Sequence, residues 1–394
     1  MKSGVKLLMS CDDYIYFYDG AFYAGSQERA DFYQRYLRVF DKLRLVTRCQ
    51  EVDMLSPDRV KLDPRIEYTP VPFFRGPKEF AEHYFKIGQA IRGIADGCDA
   101  AVLRLPSTVA MRVFADVKRA GIPYATEIVY DACDGYSSSE SLVHKMLWKY
   151  IDRKMRSICY KADGVSCVTE YYLQQRYFTK KPRAFSTHYS SLALPASFYG
   201  ESRSFPHQKR LKIAHVANQV EFNGRKGHME IIEALTKLKE QNIYVDVEFA
   251  GGDYFGGVSK LEEYANSLGV GSQVRFVGYL DRTSLDQFLT NADLFVLPTK
   301  AEGLPRVIIE AMSKGLPCIS TTVSGNPELL GSHWLIDYKD VDLLVERIKE
   351  LCVNPQIYEE TSAVNFKNSW KYEASILEKR RDKFYEQLKS ITKQ

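Results

Sequence analysis

The stretch "DLFVLPTKAEGLPRVIIEAM", residues 293–312, decides the fold because it joins a buried strand to a helix through a short loop. Its apolar run "LFVLP" has the length of a strand, and the apolar residues after Pro305 recur at helical spacing. Pro305 suits a first helical turn, and Gly303 permits close backbone approach. The unit predicts Glu302 in the loop and Glu310 in the helix, at the carboxyl edge of a parallel sheet where ligands bind.

The same alternation extends upstream of this stretch. Upstream lie strand-like "LKIAHVA", "YVDVEFAGG" and "QVRFVGYL", separated by helical "KLEEYANSLG" and "SLDQFLTNA". Strands that alternate with helices indicate a doubly wound parallel sheet. We therefore predict a carboxyl-terminal Rossmann-like domain over residues 208–370.

The amino-terminal half has a weaker form of the pattern. "VKLLMS", "LRLVTR", "AAVLRL" and "PYATEIVY" resemble strands, and "QERADFYQRYLRVF" resembles a helix. We predict a second Rossmann-like domain over residues 1–200, with a linker in the polar stretch 194–210. The charged helical pattern of residues 371–394 lacks a sheet partner, so we expect this helix to cross back to the amino-terminal domain.

Composition narrows the protein class. No apolar run approaches the roughly 20 residues that span a bilayer, and the amino terminus turns acidic early, so we expect a cytoplasmic protein. The eight cysteines show no zinc-ligand spacing and are expected to be reduced. Net charge is +4 overall, and residues 1–200 carry 29 Lys and Arg against 23 Asp and Glu. The amino-terminal half is thus expected to face the more anionic partner, although so small an excess also arises by chance.

The two glutamates have a chemical interpretation. An ionised carboxylate accepts hydrogen bonds, and its two oxygens suit neighbouring sugar hydroxyls. Two carboxylates on either side of an anion site formed by helix amides would hold the hydroxyls at both ends of a diphosphate. This pattern predicts a nucleotide-sugar site, whereas the simpler alternative is a helix cap at Glu302 and a solvated Glu310.

The segment "EGLPRVIIEAMSKGLPCISTTVSGNPELL" resembles the EX7E region of retaining glycosyltransferases of family 4, and "GRKGHMEIIEAL" resembles their first helix. The resemblance covers about residues 211–331. It implies the GT-B fold: two facing Rossmann-like α/β domains with a cleft between them. It also implies that Glu310 holds the ribose, Glu302 the donor sugar and Lys226 the diphosphate, with Gly303 and Leu304 amides in support.

The chain departs from that pattern at one donor-side position. Relatives often carry an arginine after the first strand of this domain, where "HVANQVEFNGRKG" has Asn218. Arg225 could substitute for it, and either Arg225 or Lys226 could offset the charge on the departing diphosphate. We include Asn218 and Tyr279 in the expected donor-binding set.

The acceptor side is less clearly marked. Gly25 and Ser26 lie where related enzymes carry a flexible loop, and they either contact ligand or simply turn the chain. Arg104 suits an anionic acceptor or a structural ion pair. Relatives often place a histidine before the acidic Asp131, where this chain has Tyr130. Asp131 is therefore the candidate catalytic polar group, with a turn or cap as the alternative.

These observations predict a retaining, metal-independent glycosyltransferase with a UDP- or GDP-linked sugar as donor and a glycan or lipid-linked acceptor, in surface polysaccharide assembly. No further cofactor and no nucleic acid partner are expected. The basic helix pattern of residues 144–161 is either an ordinary solvated face or a peripheral contact with the inner face of the cell membrane. A catalytically silent GT-B partner subunit and a nucleotide-sugar epimerase are the alternatives.

Overall fold

The computed structural model describes residues 4–133, 142–192, 194–207 and 210–392. The chain divides into two compact units, each with its own sheet. Unit 1 contains the residues up to Tyr189 and those from Glu378 onward, and unit 2 is Ser190–Leu377. The chain therefore leaves unit 1, forms all of unit 2 and then returns to unit 1.

Unit 1 is built on a nine-stranded sheet. Strand β1 pairs in parallel with β3 on one side and with β6 on the other, and the parallel order is β5-β3-β1-β6-β7-β8-β9. This reversal of strand order makes the β1/β6 boundary the topological switch point. The strands are β1 (Lys6–Tyr18), β2 (Ala21–Ala24), β3 (Lys42–Glu51), β4 (Val60–Lys61), β5 (Ile66–Pro72), β6 (Ala100–Leu105), β7 (Tyr124–Ile128), β8 (Gly164–Cys167) and β9 (Phe185–His188).

The helices of unit 1 begin and end at residues suited to those positions. Ser26 caps the first helix and Ser107 caps the fourth, each accepting a hydrogen bond from a backbone amide in the first turn. Gly121 ends the fourth helix in the left-handed conformation at φ 65°. The helices are α1 (Gln27–Leu37), α2 (Gly76–Glu82), α3 (Tyr84–Ala90), α4 (Thr108–Ala120), α5 (Leu142–Tyr160) and, after unit 2, α12 (Ala374–Ser390).

The chain turns sharply at Gly20. Asp19 and Gly20 adopt positive φ angles of 45° and 70°, as a tight hairpin turn requires. Strand β2 then pairs antiparallel with the end of β1. The chain after β1 therefore forms a β-hairpin before it reaches α1.

Helix α12 joins unit 1 through a buried carboxylate. The Glu127 side chain on β7 accepts hydrogen bonds from the hydroxyls of Tyr385 on α12, Tyr189 and Tyr36, at 2.5, 2.8 and 2.9 Å. Arg104 completes the cluster with an ion pair of 3.0 Å. Burial raises the pKa of Glu127, but Arg104 and the three hydroxyls outweigh it and hold the pKa below its ordinary value.

Unit 2 has a six-stranded parallel sheet in the order β12-β11-β10-β13-β14-β15, with its switch point between β10 and β13. Its core packs apolar strand residues against the flanking helices. The strands are β10 (Leu211–Gln219), β11 (Val245–Gly252), β12 (Val274–Gly278), β13 (Leu294–Leu297), β14 (Cys318–Thr321) and β15 (Leu335–Ile336). The helices are α6 (His228–Glu240), α7 (Gly257–Ser267), α8 (Arg282–Thr290), α9 (Arg306–Ser313), α10 (Val341–Val353) and α11 (Pro355–Ser369).

Both sheets confirm the predicted α/β class with two doubly wound units. Among the described helices, none combines the length and the apolar character needed to cross a bilayer. The eight cysteines form no disulfide, and five of them are buried.

Candidate functional site

The candidate site lies at the switch point of unit 2, where the carboxyl ends of β10 and β13 are neighbours. Two loops leave the sheet there: residues 220–227 lead into α6, and residues 298–305 lead into α9. Each loop delivers one of the charged residues singled out from the sequence. In a doubly wound sheet this is the position where ligands bind.

Backbone contacts join the two loops. The Arg225 carbonyl accepts hydrogen bonds from the Lys300 amide at 2.8 Å and from the Thr299 hydroxyl at 3.2 Å. Gly227 has φ 82°, and a Cβ atom there would lie 2.4 Å from Pro298 Cγ. Only glycine fits this approach, so the "GRKG" sequence fixes the loop of Lys226 against the loop of Glu302.

Lys226 and Glu302 form an ion pair between these loops. Their side chains are 29% and 16% exposed, so both charges remain within reach of a ligand while the surrounding protein reduces solvent screening. The pair spans 76 positions of sequence. Its contact brings together two of the residues predicted for the donor.

Glu310 lies on α9, the helix that follows the Glu302 loop, and is half-buried. The start of α9 is held by backbone contacts: the Gly303 carbonyl accepts a hydrogen bond from the Gly325 amide at 3.0 Å, and Leu304 is buried. The first turn of α9 therefore presents backbone amides and a positive dipole end at the same edge of the sheet.

A third loop at this edge was not singled out by the sequence analysis. Asn326 is fully buried, and its amide nitrogen donates to Ser320 Oγ at 2.9 Å and to the Thr321 carbonyl at 3.0 Å. These bonds fix the loop that supplies the Gly325 amide to the Gly303 carbonyl. The Gly-Asn-Pro sequence at 325–327 is the turn signal that could have revealed it.

The remaining donor-side residues lie at the same sheet edge but are not part of the Lys226–Glu302 ion pair. Asn218 is exposed near the end of β10, and the Arg225 side chain is exposed beside Lys226. Tyr279 follows β12 and is 73% exposed. Tyr254 and Phe255, after β11, are exposed as well, and the sequence analysis did not include them as candidates.

Two buried histidines lie next to the Lys226 loop. His215 on β10 and His228 at the start of α6 have ring centroids 4.6 Å apart. His215 Nδ1 lies 2.9 Å from the Val296 carbonyl, whereas both ring nitrogens of His228 are buried without a hydrogen-bond partner. Burial lowers the pKa of His215 to about 4 and that of His228 to about 2. Both rings are therefore neutral beside the Lys226 charge.

This histidine pair predicts an acid-sensitive unit 2. Histidine in an unfolded chain titrates near pH 6.5, so below that pH the unfolded state binds protons that the folded state does not bind. The folded state therefore loses stability as the pH falls. We expect each ring to cost about 2 kcal/mol of stability between pH 6.5 and 5. His228→Phe should remove its share of the loss in urea unfolding at the two pH values. The exposed His207→Phe should not, and equal pH dependence in the two variants would contradict this account.

Asp131 in unit 1 is surrounded by hydrogen-bond donors. Its carboxylate is fully buried and accepts hydrogen bonds from the hydroxyls of Tyr177 and Tyr172 at 2.8 and 3.1 Å. It also accepts from the Cys133 amide at 2.9 Å, which is the alternative capping role. These contacts engage the carboxylate inside unit 1, and the catalytic role predicted for Asp131 stays a prediction.

Asp131, Cys133 and Asp152 lie close enough to resemble a metal cluster. The Arg176 guanidinium lies among them, 3.4 Å from an Asp131 oxygen, 3.0 Å from an Asp152 oxygen and 2.6 Å from Cys133 Sγ. An arginine carries a permanent charge. Arg156 lies 2.6 Å from the other Asp152 oxygen, so two protein cations already face the two carboxylates of the cluster.

The acceptor-side candidates have structural partners. Arg104 pairs with Glu127, which is the ion-pair alternative noted from the sequence. The Gly25 carbonyl accepts a hydrogen bond from Arg59 at 2.5 Å, and Ser26 caps α1. Their predicted contacts with an acceptor stay predictions.

Comparison with known proteins agrees with this geometry. Residues 202–368 match the family model of glycosyl transferases group 1. Protein CapJ of Staphylococcus aureus is 25% identical over 360 residues, covering 91% of this chain and 90% of CapJ. The putative colanic acid biosynthesis glycosyltransferase WcaL of Escherichia coli is 32% identical over 148 residues, 35% of each chain. The structure of Anabaena HepE in complex with UDP-glucose is similar to this chain, with a TM-score of 0.65 at 16% identity. The alignment covers 98% of this chain and 100% of HepE.

The two doubly wound units and the likeness to HepE show the GT-B fold. The predicted GT-B fold is thereby confirmed. The match of residues 202–368 to the glycosyl transferases group 1 model covers less than half of the chain. The narrower assignment to family 4 and its EX7E motif stays a prediction.

Proposed function

We propose that this chain is a retaining glycosyltransferase that moves a sugar from a nucleoside diphosphate sugar to an acceptor hydroxyl. The observation that carries the proposal is the Lys226–Glu302 ion pair at the switch point of unit 2. It places a cation and a hydroxyl acceptor side by side at the sheet edge. A sugar diphosphate needs this combination, because its phosphates are anionic and its sugar is rich in hydroxyls.

Each residue has a proposed part in donor binding. Glu310 accepts hydrogen bonds from the ribose hydroxyls, and Glu302 accepts them from the transferred sugar. Lys226 and Arg225 face the diphosphate, while the amides of Gly303 and Leu304 at the start of α9 add partial positive charge. Asn218 and Tyr279 are proposed to contact the donor as well. HepE was solved with UDP-glucose, which favours a UDP-linked donor here, with GDP as the other candidate.

The chemical demand in the reaction is the charge that grows on the departing diphosphate. Fixed cations and helix amides stabilise such charge without reorganising during the reaction. We propose that Lys226, Arg225 and the α9 amides meet this demand without a metal ion. The leaving phosphate would then help to deprotonate the acceptor on the same face of the sugar, which retains the anomeric configuration. NMR analysis of the new glycosidic bond tests retention, and an inverted product contradicts it.

The acceptor is proposed to be a glycan or a lipid-linked glycan of surface polysaccharide assembly. This proposal is supported by the likeness to WcaL, a putative glycosyltransferase of colanic acid biosynthesis. The enzyme would act in the cytoplasm, in peripheral contact with the inner face of the cell membrane. No nucleic acid takes part.

A thermal-shift panel of UDP, GDP, ADP and TDP with their sugars tests the donor site. A ligand that binds only the folded state raises its stability by RT ln(1 + [L]/Kd). We expect UDP to raise the unfolding midpoint of the wild type, and Glu310→Gln to weaken UDP binding about 10- to 100-fold, since it loses a charged hydrogen-bond acceptor.

Glu328→Gln is the matched control, because Glu328 lies in the same carboxyl-terminal half of unit 2 but outside the proposed donor contacts. It should keep the wild-type response to UDP. If no nucleotide shifts the wild-type midpoint, or if both variants respond alike, the proposed ribose contact at Glu310 is wrong.

A further inference from the structure

Helix α5 has an outward face of cations between exposed apolar side chains. Its residues 142–160 contain five Lys and Arg and a single carboxylate, Asp152. The exposed positions recur every three or four residues, which places them on one side of the helix. They are Lys145, Met146, Lys149, Tyr150, Arg153, Arg156, Ser157 and Tyr160, and we call this set the α5 face.

The one acidic side chain of α5 points inward. Asp152 is buried and is held by Arg176 at 3.0 Å and by Arg156 at 2.6 Å. Within the described side chains of α5, none of the exposed ones is a carboxylate. Arg156 is therefore paired within α5, whereas the helix sequence offers no further carboxylate to Lys145, Lys149 and Arg153.

The charged surface continues past the end of α5. Lys161 follows Tyr160 and is exposed, and the Lys180 ammonium lies 5.3 Å from the centre of the Tyr160 ring. A shallow depression of 380 Å³ opens here, lined by Arg153, Arg156, Ser157, Tyr160 and Lys161. Three cations, a hydroxyl and a phenol around one depression suit a phosphate group.

The apolar members of the α5 face distinguish it from an ordinary solvated helix. Met146 is 71% exposed, Tyr150 is 60% exposed and Tyr160 is 46% exposed. Exposed apolar side chains do not stabilise the protein in water. At a bilayer surface they enter the headgroup region, while neighbouring Lys and Arg bind lipid phosphates. A nucleic acid would match the charge but offers no apolar layer to Met146.

We propose that unit 1 lies on an anionic lipid bilayer through the α5 face, with its cations on lipid phosphates and with Met146 and Tyr150 among the headgroups. The inference deepens the proposed function and rests on it only for the reason to be at a membrane, namely a lipid-linked acceptor. The charge and apolar pattern of the face itself come from unit 1 alone.

The test is co-sedimentation of the full chain with phosphatidylcholine vesicles that contain or lack phosphatidylglycerol. We expect binding only to the anionic vesicles, decreasing as salt is added. Lys145→Ser, Lys149→Ser and Arg153→Ser together should weaken binding on the order of 100-fold, since each cation near an anionic surface contributes about a factor of five. The matched control removes three exposed cations elsewhere: Lys118→Ser, Lys260→Ser and Lys371→Ser.

A second variant and two competitors distinguish binding to a bilayer from binding to duplex DNA or to free phosphate. Met146→Ser with Tyr150→Ser removes no charge and should still weaken binding. Equal binding by the triple variant and its control overturns the proposal, as does stronger capture of the protein by duplex DNA through the same cations. Competition by inorganic phosphate beyond that of sodium chloride at equal ionic strength would show a site for free anions and also overturn it. The triple variant should keep its thermal shift with UDP, which separates this result from a failure of the donor site.

Discussion

Lys226→Met should reduce kcat of sugar transfer by on the order of 100- to 1,000-fold, because removing one preorganised electrostatic contact from a reacting centre commonly has this effect. The substitution keeps the aliphatic stem but removes the ammonium that pairs with Glu302. Charge on the departing diphosphate would then lose its nearest proposed cation. Initial-rate measurements of transfer, or of donor hydrolysis if the acceptor is unidentified, give kcat and KM separately.

Helix α6, which follows the Lys226 loop, offers a matched control. Lys237 on α6 pairs with Asp342, and their side chains are 43% and 81% exposed, so Lys237→Met removes an ion pair that solvent largely screens. We expect it to leave kcat within about twofold of the wild type. If Lys226→Met had equally little effect, the proposed role in charge stabilisation would be wrong. Lys226→Arg, which keeps a cation, should lose less than Lys226→Met.

Glu127→Ala should destabilise unit 1 by about 3–5 kcal/mol, because breaking a buried ion pair leaves its partner charge uncompensated. Glu127 holds Arg104, and it accepts hydrogen bonds from the hydroxyls of Tyr36, Tyr189 and Tyr385. All four partners lose their shared acceptor in the variant. Urea unfolding at neutral pH, followed by circular dichroism, measures the change.

The pKa of Glu127 sets the pH range of this contribution. Its folded pKa lies below the ordinary value, so its stabilising effect is present above the unfolded pKa near 4.3 and is lost as pH falls through the folded pKa. Glu67→Gln is the control in the same sheet, since Glu67 is 42% exposed beside Lys6 and Arg44. It should cost less than about 1 kcal/mol. Equal losses in both variants would show that burial of Glu127 is unimportant.

The strands of unit 2 could be predicted from the sequence because buried parallel strands are continuous apolar runs. "DLFVLPT" contains β13, Leu294–Leu297, and "YVDVEFAGG" contains β11, Val245–Gly252. Strand β5 was missed because Pro70 and Pro72 make it read as a loop. It lies at the edge of its sheet and pairs only with β3, where proline is tolerated.

The candidate site could be predicted in part for a similar reason. Spacing placed Glu302 in a loop and Glu310 in the next helix, since both depend on local pattern. The contact of Glu302 with Lys226 depends on the order of strands β10 and β13, which no local pattern contains. The partners of Asp131 could not be predicted either, since Tyr177 and Arg176 lie more than 40 positions later in the chain.

The return of the chain to unit 1 has a consequence for synthesis on the ribosome. Glu127, Tyr36 and Tyr189 are all made before unit 2, whereas Tyr385 is made after it. Unit 1 therefore cannot complete the hydrogen bonds of its buried carboxylate cluster until the whole of unit 2 has been translated. Unit 2 has its complete sheet by then and can fold first. A nascent chain arrested before α12 should thus hold a protease-resistant unit 2 beside a protease-sensitive unit 1.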